Sequence, residues 1–168
     1  MQGLPKGDKL ETIVRAATEL GVARVVPAVA ARTVVRLTDG QAAARLARWQ
    51  RVAREAAKQC GRRVVPDVAP PRPLEACLEE ARDADLALCL WEGDAPPLGA
   101  ALADAKRPRR AVVLVGPEGG LDHREVDAAR ARGWRVVGLG GRILRTETAG
   151  PAVLAILQSR WGDLGTQT

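Results

Sequence analysis

Phenylalanine and tyrosine are absent from the 168 residues, and histidine occurs once, at His123. A histidine-rich metal site is therefore excluded, as is a Ser-His-Asp triad drawing on any other histidine. Cysteine is scarce too. Cys60, Cys77 and Cys89 are odd in number, widely spaced and form no C-x-x-C. That usage fits buried thiols in a reducing compartment, not a disulfide framework or a zinc cluster. No apolar run approaches the roughly 18 residues of a membrane span, and the first residues lack a signal-like apolar core. No membrane association and a cytoplasmic location are expected. Phosphate-binding signatures are also missing: there is no G-x-x-x-x-G-K-[ST], and Gly138, Gly140 and Gly141 do not make G-x-G-x-x-G.

What is present is a chain long enough for one domain with a real core. Its hydrophobic fraction of 46% is mostly Ala, Val and Leu, so packing rests on aliphatics and on Trp49, Trp91, Trp134 and Trp161. A net charge of +6 and a pI near 10 permit a polyanionic partner, and equally describe an arginine-rich solvated surface.

Met1–Gly7 reads as a lead-in in which Gly3, Pro5 and Gly7 break any regular element. Asp8-Lys-Leu-Glu11 has the pattern of a capping box opening a helix that Gly21 closes. Ala23–Val29 is expected to be a short strand interrupted by Pro27, and Arg32–Leu37 another extended piece. Ala42–Cys60 is the longest expected helix, with Leu46, Trp49, Val52, Ala53, Ala56 and Cys60 on one arc. Arg48, Arg51, Arg54 and Lys58 occupy most of the opposite arc, as a phosphate track or simply a wet face. Val64–Val68 is a strand, Pro70–Pro73 a turn and Leu74–Arg82 a helix. Leu86–Trp91 is apolar throughout and reads as a central strand. From there strands and helices alternate, which predicts a largely parallel sheet covered by helices.

Two stretches stand out. Gly116-Pro-Glu-Gly-Gly120 follows the strand Ala111–Val115 and leads to a helix over Asp122–Arg132, capped by Asp122 and Glu125. Leu139-Gly-Gly-Arg-Ile-Leu-Arg-Thr-Glu-Thr-Ala149 follows the strand Arg135–Leu139 and leads to a helix over Pro151–Arg160. In open α/β sheets, ligands settle at the carboxyl ends of strands. Two glycine-bearing loops there suggest one site built largely of main chain.

The two stretches together, at this separation, resemble the signatures of the RsmE-type uridine-N3 methyltransferases of small-subunit ribosomal RNA. Lys6-Gly-Asp-Lys9, Thr18-Glu-Leu-Gly-Val22, Ala31-Arg-Thr33 and Glu55-Ala-Ala-Lys-Gln-Cys-Gly-Arg62 are similar to the same family in the same order. The resemblance implies a SPOUT-type α/β fold: a mostly parallel sheet flanked by helices, with a C-terminal deep trefoil knot, over residues 1–168. It implies a homodimer acting on small-subunit ribosomal RNA without a metal. The PUA-like RNA-binding domain that family members usually carry is absent from the sequence. S-adenosylmethionine is the implied cofactor, held by Leu90, Trp91, Leu114, Val115, Gly116, Pro117, Glu118, Gly119, Gly120, Leu139, Gly140, Ile143, Leu144 and Thr148.

Uridine N3 becomes a nucleophile only when its proton leaves, so a fixed cation beside the uracil oxygens should favour the anion. Arg145 is the first candidate and Arg142 the second. Glu147 and Glu118 are candidates to accept the proton or face the cationic sulfonium, although each equally suits a carboxylate satisfying loop amides. Lys9, Arg32, Gln59 and Arg62 are expected to grip the RNA backbone. Two alternatives stay open: another SPOUT enzyme acting on transfer RNA or a ribose oxygen, and a non-catalytic RNA-binding module.

Overall fold

The computed structural model describes residues 1–164, and every strand pairing among them is parallel. At the centre of one sheet is β6 (Leu86–Leu90), flanked by β7 (Ala111–Leu114) and β8 (Arg135–Val137). Cys89 sits opposite both Leu114 and Val136 in register. A second sheet has β3 (Pro27–Val29) between β1 (Gln2–Gly3) and β5 (Arg72–Pro73), and β2 (Arg24–Val25) pairs separately with β4 (Asp67–Val68).

The two larger sheets meet at the first residues of the chain. Gly3 N–H donates to Val115 O at 2.7 Å, and Val115 N–H donates to Met1 O at 3.1 Å. Far from being a lead-in, Gln2–Gly3 forms the seam between the sheets. Gly3 belongs there because a Cβ on it would fall inside the ring and backbone of Pro117.

The helices are α1 (Lys9–Glu19), α2 (Asp39–Gln59), α3 (Leu74–Glu80), α4 (Leu98–Leu102), α5 (His123–Ala131) and α6 (Thr146–Trp161). The apolar arc of α2 meets α1, with Trp49, Val52 and Ala53 packed on Leu10, Ile13 and Val14. Residues of α3 and α5 cover one sheet face with Leu74, Leu78 and Val126 around Cys89. Residues of α4 and α6 contribute Leu98, Leu102, Val153 and Leu157 to a third cluster with Leu88 and Val137.

Several expected boundaries move, each for a local reason. Helix α2 starts at Asp39 because Thr38 and Gln41 form the reciprocal capping pair that Asp8 and Glu11 do not. Asp8 makes no side-chain cap, and the Glu11 carboxylate is drawn instead to Arg48 Nε at 2.6 Å. The expected strand over residues 23–29 divides at Val26, its halves joining different sheets. Residues 32–37 form no strand. Arg72–Pro73, expected in a turn, pairs with β3. Cys77 and Cys89 are buried as expected, but Cys60, beyond the end of α2, is exposed.

The largest correction is α6. It begins at Thr146, five residues before the expected Pro151, and carries that proline inside it. Proline usually opens a helix. Here the first turn is instead secured by tertiary bonds to Thr146, and the bond that Pro151 cannot donate is lost within the helix.

Candidate functional site

The first glycine loop leaves β7 at Val115. Gly120, at φ +71, closes it with an N–H bond to Pro117 O of 2.9 Å. A Cβ on Gly116 would lie 3.0 Å from the carbonyl carbon of Gly120, so the turn is as tight as backbone permits. Asp122 then caps α5, its side chain accepting Arg124 N–H while Glu125 Oε2 accepts Asp122 N–H at 2.8 Å. The other oxygen of Glu125 accepts Ala31 N–H at 2.7 Å, and Arg32 Nη1 donates to Gly119 O at 3.0 Å. Ala31-Arg-Thr33 is thus fastened to the back of the loop.

A buried polar triangle joins this loop to α6. Gln2 Nε2 donates to Thr146 Oγ1 at 2.7 Å, and Thr146 Oγ1 donates to Gly116 O at 2.6 Å. Both side chains are buried, so each bond replaces water that is no longer there. Three distant parts of the chain are fixed by one threonine hydroxyl.

The second loop, residues 138–145, starts where Gly138 N–H donates to Pro96 O at 2.9 Å. Beyond it, Arg142, Ile143 and Arg145 are exposed, and neither arginine forms an ion pair with a described residue. Together with the Leu90–Pro97 connection after β6, the two loops enclose a cavity of about 700 Å³. Its apolar walls include Leu90, Trp91, Val115, Leu139 and Leu144, and its charged residues are Lys9, Glu92, Glu118, Arg142, Arg145 and Glu147. Trp91 is braced from outside by His123, edge-on at 5.1 Å, and by the Arg130 guanidinium 5.4 Å from its ring centre.

At the cavity mouth, Lys9 Nζ lies 3.0 Å from Glu118 Oε1 and 3.6 Å from Glu147 Oε2. Partial burial would raise the Glu118 carboxyl. Its own backbone N–H, the Lys9 ammonium and Lys6 N–H outweigh burial and hold it below its ordinary value. The Lys9 ammonium is raised in turn, chiefly by its hydrogen bond to Glu118. Glu147 Oε2 is sealed from solvent and accepts no hydrogen bond.

Most residues expected around a cofactor converge on this cavity: Leu90, Trp91, Val115, Gly116, Pro117, Glu118, Gly120, Leu139, Gly140, Ile143 and Leu144, with Arg142, Arg145 and Glu147. Three do not line it. Leu114 is fully buried in the core, Gly119 faces Arg32, and Thr148 is exposed on α6, its N–H bonded to Arg145 O.

The four residues expected to grip RNA are dispersed. Lys9 stands in the cavity mouth between two acids. One guanidinium nitrogen of Arg32 is committed to Gly119. Arg62 Nη1 donates to Thr18 O and Val22 O at 2.8 and 2.9 Å, a structural role at the end of α1 that phosphate gripping did not anticipate. Gln59 is exposed at the end of α2. Sequence reading places Thr146 and Glu92 in loops of the site without giving either a role, and it misses Gln2, which nothing local marks.

A second cavity, of about 490 Å³, lies between α1, β7 and α6, with Ile13, Val113, Leu154 and Trp161 among its walls. It holds no residue of the two glycine loops and shares only Val115 with the larger cavity.

Parallel strands ending in two backbone-rich loops around a cavity form an α/β domain, and its structural neighbours are methyltransferases of the SPOUT type. The fold is shared even with the SpoU methyltransferase of Streptomyces viridochromogenes, at a TM-score of 0.58 and 15% identity over 95% of this chain and 57% of that one. Residues 1–158 match the family described as RNA methyltransferase domain, and the chain belongs to that family. Over 152 residues it is 39% identical to ribosomal RNA small subunit methyltransferase E of Bacillus subtilis, covering 88% of this chain and 59% of that protein. The Neisseria gonorrhoeae protein of the same name, solved bound to S-adenosyl methionine, aligns at a TM-score of 0.85 and 38% identity, covering 96% of this chain and 65% of that one. The chain therefore spans between half and two thirds of the length of such relatives.

Proposed function

We propose that this chain binds S-adenosylmethionine and methylates N3 of a uridine in small-subunit ribosomal RNA. The observation that carries the reading is the convergence of both glycine loops, with Glu118, Glu147, Arg142 and Arg145, on one cavity. The residues present fit the cofactor. About 700 Å³ falls within the range of small-molecule sites. The glycine turn brings bare backbone to the wall, and Glu118 and Glu147, both paired with Lys9, line it with charge. When bound, the cofactor supplies an electrophilic methyl group on a cationic sulfur.

The chain's own residues have four tasks. Gly116–Gly120 and Leu139–Leu144 hold the cofactor, and the apolar walls exclude water from a step in which opposite charges are neutralised. Arg145 is assigned to the uracil oxygens, where its charge favours the N3 anion, with Arg142 of the same loop as the second candidate. The basic arc of α2 (Arg51, Arg54, Lys58) is exposed and suits the RNA backbone. We also assign residues 1–168 to one SPOUT domain whose C-terminal segment is threaded as a trefoil knot. Exposed Ile143 and Ile156 suit contact with a second copy in a homodimer. A cytoplasmic location accords with the free cysteines, and no helix among the described residues is long and apolar enough to cross a membrane.

Calorimetric titration with S-adenosylhomocysteine, with ATP as control, tests the reading. Saturable binding of the first alone is expected, followed by 3-methyluridine in ribosomal RNA digests after turnover. A folded sample that binds RNA but no S-adenosylhomocysteine would make the chain an RNA-binding module. A different methylated nucleoside would move the target within the class.

A further inference from the structure

The charges lining the larger cavity are not evenly matched. Glu118 and Glu147 share the Lys9 ammonium. That leaves Glu92, Arg142 and Arg145, whose side chains form no ion pair or hydrogen bond with a described residue. The unmatched charge is divided by position. The acid lies in the loop after β6, and both guanidinium groups lie in the loop after β8.

Glu92 is set in place by its neighbours. Trp91 N–H donates to Val137 O at 3.0 Å, and the Trp91 ring packs so closely on Gly93 that a Cβ there would fall 2.6 Å from it. His123 and Arg130 brace the same ring. The Glu92 carboxylate extends across to the first glycine loop, where a Cβ on Gly120 would land on its Oε1, with Cδ 3.0 Å away. Gly120 must therefore be bare for this acid as well as for its φ of +71. A carboxylate that reaches a turn to satisfy its amides accepts an N–H, as Glu118 does from Lys6 and Glu125 from Ala31. Glu92 touches the loop and accepts nothing. It is exposed and lines the cavity, so its oxygens remain open to a ligand there.

We infer that Glu92 is a cofactor-binding residue, the counter-charge for a cationic group of the methyl donor, and that it draws the donor to its own loop and the first glycine loop. This rests on the methyl-transfer reading above. S-adenosylmethionine carries two positive groups, the sulfonium and the amino-acid ammonium, against one carboxylate, so its net charge is positive. Arg142 and Arg145 repel such a ligand from the second loop and leave that loop to the substrate, whose uracil anion and phosphates are negative. Attraction between unlike charges grows where water is partly excluded, and Leu90, Trp91, Leu139 and Leu144 provide that setting.

The test is a calorimetric ligand series on the full chain and on E92Q, which keeps the shape over Gly120 and removes the charge. S-adenosylmethionine has both cationic groups, S-adenosylhomocysteine only the ammonium, and 5′-methylthioadenosine neither. E92Q should bind S-adenosylmethionine about tenfold more weakly and 5′-methylthioadenosine unchanged. S-adenosylhomocysteine then names the partner: an equal loss assigns the ammonium, an unchanged affinity the sulfonium. Added salt should weaken S-adenosylmethionine binding more in the unsubstituted chain than in E92Q. D94N removes a charge from the same loop but outside the cavity lining, and should change no affinity. The inference is overturned if E92Q binds S-adenosylmethionine as tightly as the unsubstituted chain. An equal loss of 5′-methylthioadenosine also overturns it, by making Glu92 a contact of shape, as does a D94N that matches E92Q. Failure of the unsubstituted chain to bind any of the three would instead remove the methyl-transfer reading, and this one with it.

Discussion

The two glycine loops stand side by side at one edge of the sheet, yet the first is pinned from every side and the second from few. Gly116 O accepts Thr146 Oγ1, Pro117 O accepts Gly120 N–H, and Gly119 O accepts Arg32 Nη1. Around Gly140 and Gly141 an added Cβ would meet nothing within 4 Å, and Ile143 is 83% exposed. One wall of the cavity is rigid before any ligand arrives. The other presents its side chains to whatever binds, whether cofactor, RNA or a second copy. Preorganisation costs nothing at the moment of binding, whereas a loosely held wall admits a bulky substrate first.

The strongest way to break this contrast is to overfill the first wall. Gly3→Ala places a methyl group inside Pro117, which is held by β1 and the turn and has no room to retreat. Overpacking of this kind costs about 1–3 kcal/mol or more. S-adenosylhomocysteine affinity should fall by at least tenfold, with a lower melting temperature by circular dichroism. Unchanged affinity would mean that the first loop is not the rigid wall described.

Next in size is Thr146→Val, which keeps the shape and removes the hydroxyl shared by Gln2 and Gly116. Gln2 Nε2 keeps its 3.1 Å bond to Gly3 O, while Gly116 O is left with only the 3.4 Å bond from Gln2, and this weakening of a buried network should cost about 1–3 kcal/mol in urea unfolding. Gln2→Leu should behave alike, and the double variant should cost less than the sum of the two singles, because both remove one network.

That network marks the limit of what could be read from the chain alone. The glycine motifs, the alternation of strands and helices and the Asp122–Glu125 cap are local patterns, and the structure has them where expected. Gln2 and Thr146 act across 144 residues, and no period or spacing reports such a bond. The start of α6 was misread for the same reason: local chemistry favoured proline as the first helical residue, while tertiary bonds to Thr146 decided otherwise. Lys9 and Arg62 were seen as cations, but their neighbours, which decide what a cation does, are set by the fold.

Gly140 and Gly141 sharpen the comparison with smaller effects. Gly140 has φ +95 and open space around it, so Gly140→Ala should cost only backbone strain, about 1–2 kcal/mol. Gly141 has the same space without that φ, and Gly141→Ala should be nearly neutral. A loss at Gly141 as large as that of Gly3→Ala would show that the second loop is as tightly packed as the first.

The smallest effect is a pH dependence belonging to the first loop. Glu118 is held below the ordinary carboxylate value, so its contribution to stability is full above the unfolded value of about 4.3 and disappears as pH falls through the folded one. Its partner Lys9 is raised, so that contribution is full below about 10.4 and is lost only as pH rises through the folded value. Between the two the pair is intact. E118Q should therefore melt below the unsubstituted chain at neutral pH, by a few degrees at most because both groups are partly solvated, and the gap should close towards pH 3. Arg142→Gln, in the second loop and without an ion pair among the described residues, should show no such gap at any pH. A gap for E118Q that stayed constant to pH 3 would mean that Glu118 supports the loop through shape alone, and the charged tie between α1 and the first wall would carry no free energy.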